Sequence, residues 1–191
     1  QRYDYLDDQY VDNVLTGGIL NMTMRFSDNS KISLKNYLSI GSENMTVMRT
    51  GDDIELQQEK RATAVQFYSN ILFNSQLSGE HVLGKSKVSL KWYGGAGKIS
   101  REVPDLRRMQ YYRNFEISEA ADTVFKAYVP FGSASPNYAG KFYSTLDESI
   151  YNGGADFGIP VKLKGQSSVI KFGFAEQYKE RTFDARVLGY I

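Results

Sequence analysis

Cysteine is absent from the chain, so no disulfide holds it and no thiol does chemistry in it. Its single histidine, His81, is too little for imidazole catalysis or a histidine-rich metal centre. Charge of one sign is also missing. The 23 Lys and Arg against 22 Asp and Glu leave +1, which excludes a bulk electrostatic attraction to nucleic acid. No stretch approaches the ~20 apolar residues of a membrane helix. That excludes a helical span but not a β-barrel, whose strands read as alternation. There is no nucleophile motif, phosphate loop or metal-ligand spacing, so neither enzyme activity nor a cofactor is expected. The chain opens at Gln1 with no signal peptide, and is expected to be a processed protein or a piece of a larger one.

What the chain does have is aromatic residues and alternation. Aromatics make up 14%, with 14 Tyr and 11 Phe. Over residues 14–26, Leu20, Met22, Met24 and Phe26 share one face, and Asn21, Thr23 and Arg25 the other. A polar turn follows at 27–30. Residues 31–40 then alternate again, with Ile32, Leu34, Leu38 and Ile40 on one side. Two alternating runs around a short polar turn predict a β-hairpin. A break at 51–58 separates it from a second pair, which runs from Ala64 and turns at 83–86. Val88, Leu90 and Trp92 alternate with Ser89, Lys91 and Tyr93. A third pair turns at 164–167, with Pro160 weakening its first strand because proline cannot donate to a ladder.

Between the second and third pairs, Pro104 is expected to end the strand. Residues 103–138 are then a long loop that could hold a short helix starting at Pro104. The map is about six antiparallel strands in three hairpins, an all-β up-and-down arrangement. The strand runs of roughly 15 to 20 residues far exceed the usual five or six. Short turns alternate with longer links, and an apolar face alternates with one rich in Ser, Thr, Asn, Gln, Lys and Arg. Those features are what a transmembrane barrel requires. The other reading is a soluble all-β ligand-binding or interaction domain with one wet face.

Three stretches carry a family resemblance. They are "KWYGGAGKISREVPDLRRMQYYRN" at 91–114, "AGKFYSTLDESIYNGGADFGIPVKL" at 139–163 and "QYKERTFDARVLGY" at 177–190. They resemble segments of TonB-dependent outer-membrane receptors of the Bacteroidetes type. The resemblance implies part of a large barrel in the bacterial outer membrane, and uptake of a bulky nutrient such as a glycan, peptide or metal chelate. It implies as partners the membrane lipid, a surface lipoprotein, and the inner-membrane TonB complex reached through other parts of the receptor. No plug domain, TonB-contacting segment or terminal aromatic residue is visible, so the resemblance implies a central barrel portion only.

The main candidate for substrate contact is the cluster Arg107, Arg108, Tyr111, Tyr112 and Arg113. Arginine offers forked donors and tyrosine a stacking face with a hydroxyl tip. The alternative is that these side chains pair with nearby acids and pack one loop on another. "GDDIE" at 51–55 invites a calcium reading but lacks the full loop pattern. Tyr37, Tyr68, Trp92, Tyr93, Phe157 and Tyr178 are candidates for aromatic girdles at membrane interfaces, or else for sheet packing. His81 is expected to be an exposed polar residue near a turn. Asp147 and Glu148 are neighbours in a strand and point to opposite faces, which argues against a catalytic pair.

Overall fold

A computed structural model describes residues 2–115, 124–132, 135, 137–163 and 165–190. The chain forms one antiparallel sheet. Its strands are β1 (Tyr3–Ser27), β2 (Ser30–Asp53), β3 (Gln58–Leu83), β4 (Val88–Asn114), β5 (Lys126–Ala127), β6 (Ala139–Leu163) and β7 (Gln166–Gly189). The order is β1-β2-β3-β4-β6-β7, with two-residue β5 paired to β4. Every long strand therefore pairs with its neighbour in sequence, as short turns dictate. β1 and β7 do not pair with each other, so each leaves a long free edge.

Turns at 28–29 and 84–87, and the link from Leu163 to Gln166, lie at one end of the sheet. The connections 54–57 and 115–138 lie at the other end, called here the loop end. The short turns fall where the polar clusters placed them. The break at 51–58 is tighter than expected, because β2 runs to Asp53 and only four residues join it to β3.

The larger correction concerns Pro104. It neither ends a strand nor starts a helix: β4 continues through it to Asn114, and the connection to β6 is 115–138 rather than 103–138. A bulge absorbs the proline. Register with β3 passes from Glu102 opposite Ser69 to Asp105 opposite Phe67, so Val103 and Pro104 together face Tyr68. A residue without an N–H is tolerated in a central strand at such an irregularity. The bulge also switches the side to which odd-numbered residues of β4 point.

Directly paired residues share a face, so the register sorts every side chain. One face carries an apolar belt near the short turns. It includes Leu34 and Leu38 of β2, Ile71 and Phe73 of β3, Leu90 and Trp92 of β4, Phe157 and Ile159 of β6, and Phe172 and Phe174 of β7. The belt covers residues 32–40, 67–77, 88–96, 151–161 and 170–178 on successive long strands, nine to eleven residues each. A tilted strand needs about that many to cross a bilayer core. Glu176 is the one charged side chain of this face within those spans.

Among the described residues no second layer packs on either face, apart from the part of the 115–138 connection at the loop end. Among the described residues only Val103 and Ala139 are buried hydrophobics, while Met22, Phe73, Phe172 and Phe174 are exposed. The accessible surface is 13781 Å² for 21.6 kDa. A compact soluble protein of that mass exposes about 9,200 Å². The sheet is thus a wall without a core. Packing within each face comes from cross-strand pairs, such as Phe157 stacked on Phe172 at 5.2 Å and Tyr151 on Tyr178 at 6.5 Å.

Of the girdle candidates, Trp92, Phe157 and Tyr178 lie on the belt face, and Tyr37, Tyr68 and Tyr93 on the opposite, polar face. Trp92 lies across Gly79 of β3, where any Cβ would collide with the indole. Tyr93 likewise covers Gly154, its ring carbon 2.9 Å from where a Cβ would stand. Glycine here admits a large ring against the neighbouring strand.

Candidate functional site

The bulge decides where the Arg and Tyr cluster points. Beyond it, Arg107, Tyr111 and Arg113 lie on the belt face, and Arg108 and Tyr112 on the polar face. The five residues are therefore not one site, and they belong to strand β4 rather than to a loop.

On the belt face, Arg107 pairs with Asp105 on its own strand, and Arg113 pairs with Glu59 of β3, Nε to Oε2 at 2.5 Å. Arg113 and Arg61 both lie over Phe125, at 4.9 and 4.2 Å from the ring centroid. Tyr111 sits opposite Ala127 of β5. These contacts pin residues 125–127 against β3 and β4.

On the polar face the arrangement is open. Tyr112 meets Tyr128 edge to face at 5.8 Å, and Tyr128 meets Tyr138 at 4.7 Å. The N–H of Tyr128 donates to the carbonyl of Gln110 at 2.7 Å, so the connection extends the sheet at this edge. Below these rings runs a groove of about 640 Å³, lined among others by Tyr5, Arg49, Lys60, Gln66, Arg108 and Tyr138. Tyr3 and Tyr5 stack at 5.5 Å on its far side, and Arg49 lies 5.1 Å from the centre of the Tyr5 ring. Arg49 makes a forked pair with Asp7, both bonds at 2.7 Å. Arg108 has no ion pair among the described residues, which leaves its fork available to a ligand.

Asp53 anchors the groove's end. It is buried and pairs with Lys60 across the 54–57 turn. It also accepts from the Leu56 N–H at 3.1 Å and from the Tyr5 hydroxyl at 3.5 Å. Burial pushes its carboxyl up, but the Lys60 ammonium and the other donors outweigh that and hold it below the usual carboxylate range. A carboxyl held low stabilises the fold above its ordinary pKa of about 3.9, and the contribution disappears as pH falls through the lowered value. The Leu56 amide resonance should therefore begin to move only below that ordinary range, and should stop moving in Asp53→Asn. An amide that shifts at the ordinary carboxylate value would overturn this assignment.

The acids of "GDDIE" do not converge. Asp52 and Asp53 point to opposite faces, and Glu55 lies 3.6 Å from Arg2. No group of three or more acidic or histidine ligands occurs among the described residues. Asp147 and Glu148 also take opposite faces. Glu148 is buried on the polar face beneath two β7 cations, Lys179 at 2.8 Å and Arg181.

His81 is not a free surface residue. Its Nε2 accepts from the Trp92 indole N–H at 3.1 Å, so the ring proton sits on Nδ1, 2.8 Å from the Ser30 hydroxyl. This bridge joins β2, β3 and β4 on the belt face next to the short turns. Sequence reading missed it, and missed Tyr5, Asp53, Lys60 and Tyr138 at the groove and Tyr128 packed on Tyr138. Their partners are far apart in sequence and meet only through register. The one local signal was the 51–58 break, which predicts a turn bringing residues near Asp53 and Lys60 together.

Compared with models of known families and with curated proteins, the chain matches none.

Proposed function

We propose that this chain is barrel wall of a TonB-dependent outer-membrane receptor, with the belt face against lipid and the polar face toward the lumen. One observation carries the membrane part of this reading. A meander of six long strands bears a belt of bilayer-crossing length on one face and, among the described residues, no core on either. Two free edges of strand β1 and strand β7 support it further, because unpaired backbone in lipid requires closure by other strands. The receptor assignment rests on the resemblance of residues 91–114, 139–163 and 177–190. On this reading the substrate is a bulky nutrient met at the loop end. Its import is driven by the inner-membrane TonB complex, and a surface lipoprotein attends the loop end. A soluble ligand-binding domain, the other reading, calls for a buried apolar core that the described residues do not supply.

The absence of cysteine makes the test clean. Single cysteines at Met24, Phe73 and Phe172 in the full-length protein in native membranes should resist a water-soluble maleimide. A cysteine at Asn74, one residue from Phe73 on the polar face, should react. Equal labelling of both sets would sink the membrane reading. For transport, Arg108→Ala with Tyr112→Ala should reduce substrate uptake while the amount of receptor in the outer membrane stays constant. Unchanged uptake would return both residues to loop packing.

A further inference from the structure

The net charge of +1 conceals a division between the two faces. On the polar face, the half near the short turns carries Arg25, Lys31, Lys35, Lys91, Lys162 and Lys171 against Glu80 and Asp156. The half near the loop end carries Arg49, Lys60, Arg101, Arg108, Lys179 and Arg181 against Asp7, Glu43, Asp53 and Glu148. Twelve cations thus meet six acids on one face. The belt face is the reverse: Arg61, Lys98, Arg107, Arg113, Lys141 and Arg186 are outnumbered by acids, including Asp4, Asp8, Asp12, Asp52, Glu102, Asp147, Glu180 and Asp184.

The acids of the polar face are nearly all engaged. Asp7 holds Arg49, Asp53 holds Lys60, Glu148 holds Lys179 and Arg181, and Glu80 lies 3.2 Å from Lys31 and 3.9 Å from Lys91. Glu43 accepts from the Tyr68 hydroxyl at 2.9 Å. Arg25, Lys35, Arg101, Arg108, Lys162 and Lys171 make no ion pair among the described residues, and Arg101 lies over the Tyr68 ring. Six cations without an acidic partner therefore line one face from the loop-end groove to the short turns.

We infer that the polar face is a cationic path for anionic ligands, meaning solutes that present carboxylate, phosphate or sulfate groups. The inference rests on the reading of this face as lumen-lining. A surface of one sign inside a wall of low dielectric focuses its field and raises the local concentration of the opposite charge. Arg108 stands at the loop-end groove with its fork free, and Lys35 and Lys171 continue the surface toward the other mouth. Arg108 offers forked recognition at the groove, and Lys35, Lys162 and Lys171 offer mobile point charges beyond it.

The test uses the full-length protein in detergent with two fluorescent probes, dextran sulfate and uncharged dextran of the same length. Dextran sulfate should bind, more weakly as salt rises, and uncharged dextran should not. Lys35→Glu, Lys171→Glu and Arg108→Glu should each weaken dextran sulfate binding by about tenfold. Lys98→Glu and Lys141→Glu, on the opposite face, should leave it unchanged. Equal binding of the uncharged probe, or equal losses from the two faces, would overturn the inference. The cysteine labelling above separates the two readings. Shielded belt cysteines with charge-blind binding remove this inference alone, whereas unshielded ones remove the membrane reading, and charge-selective binding would then mark an open cationic sheet face rather than a path through a lumen.

Discussion

Phe73→Arg should abolish assembly of the full-length protein in a bilayer, while Asn74→Arg, one residue along the same strand, should leave assembly close to normal. Phe73 lies in the belt and Asn74 on the polar face, so the pair isolates direction from position. An arginine at the bilayer midplane of a barrel's lipid face costs about 2–4 kcal/mol. On the water-lined face the same guanidinium stays solvated, although it adds one more cation to a surface already rich in them. Phe73→Ala separates the loss of an aromatic side chain from the gain of a charge, and should retain most of the assembly. Phe172→Arg on β7 should repeat the defect on an independent strand. The readout is the fraction of folded protein recovered in liposomes, followed by its resistance to heat on an electrophoresis gel. A larger defect in Asn74→Arg than in Phe73→Arg would mean that the faces are assigned the wrong way round.

Deleting Val103 and Pro104 together should move a disulfide by one residue. In the parent, Gln110 and Tyr128 are opposite each other through the 2.7 Å bond between the Tyr128 N–H and the Gln110 carbonyl. Cysteines at 110 and 128 should then cross-link. Removing Pro104 alone takes out the bulge but leaves Val103 opposite Tyr68 and Asp105 opposite Phe67, so later residues keep their partners and the cross-link should stay at 110. Removing both residues puts Asp105 opposite Tyr68, and that one-residue slip sends every later side chain to the other side. In the double deletion the cross-link should form between cysteines at 111 and 128 instead. Arg108 and Tyr112 would leave the polar face for the belt face, and Arg107, Tyr111 and Arg113 would replace them. Pro104→Ala keeps the residue count, so its cross-link should also stay at 110. The double deletion should not block membrane assembly, because residues 105–114 lie beyond the belt. A cross-link that remains at 110 in the double deletion would show that the residue count at the bulge does not set the direction of the upper strand.

Much of this fold is legible from the chain alone. Alternation along Leu20, Met22 and Met24, or Ile170, Phe172 and Phe174, depends only on the two-residue period of a strand, and the register keeps each set on one face. The polar clusters at 27–30, 83–86 and 164–167 mark the turns, because Ser, Asn, Asp, Gly and Lys tolerate the conformations that turns need. Local chemistry suffices for these features, and they fix an all-β meander of long strands.

Pro104 marks the limit of local reasoning. A proline reads as the end of a strand, and only the ladders from β3 and β6 on either side hold the backbone in line past it. The direction of Arg108 and Tyr112 follows from that bulge, so no residue-by-residue reading could place them. The His81 bridge to Ser30 and Trp92, the Asp53 to Lys60 pair and the tyrosines of the groove share this dependence on neighbours brought together by register. The charge is the clearest case. Composition sums both faces to +1, and the pleat then sends the cationic excess to one side and the acidic excess to the other. That separation exists only once strands are paired, because pairing decides which residues share a face.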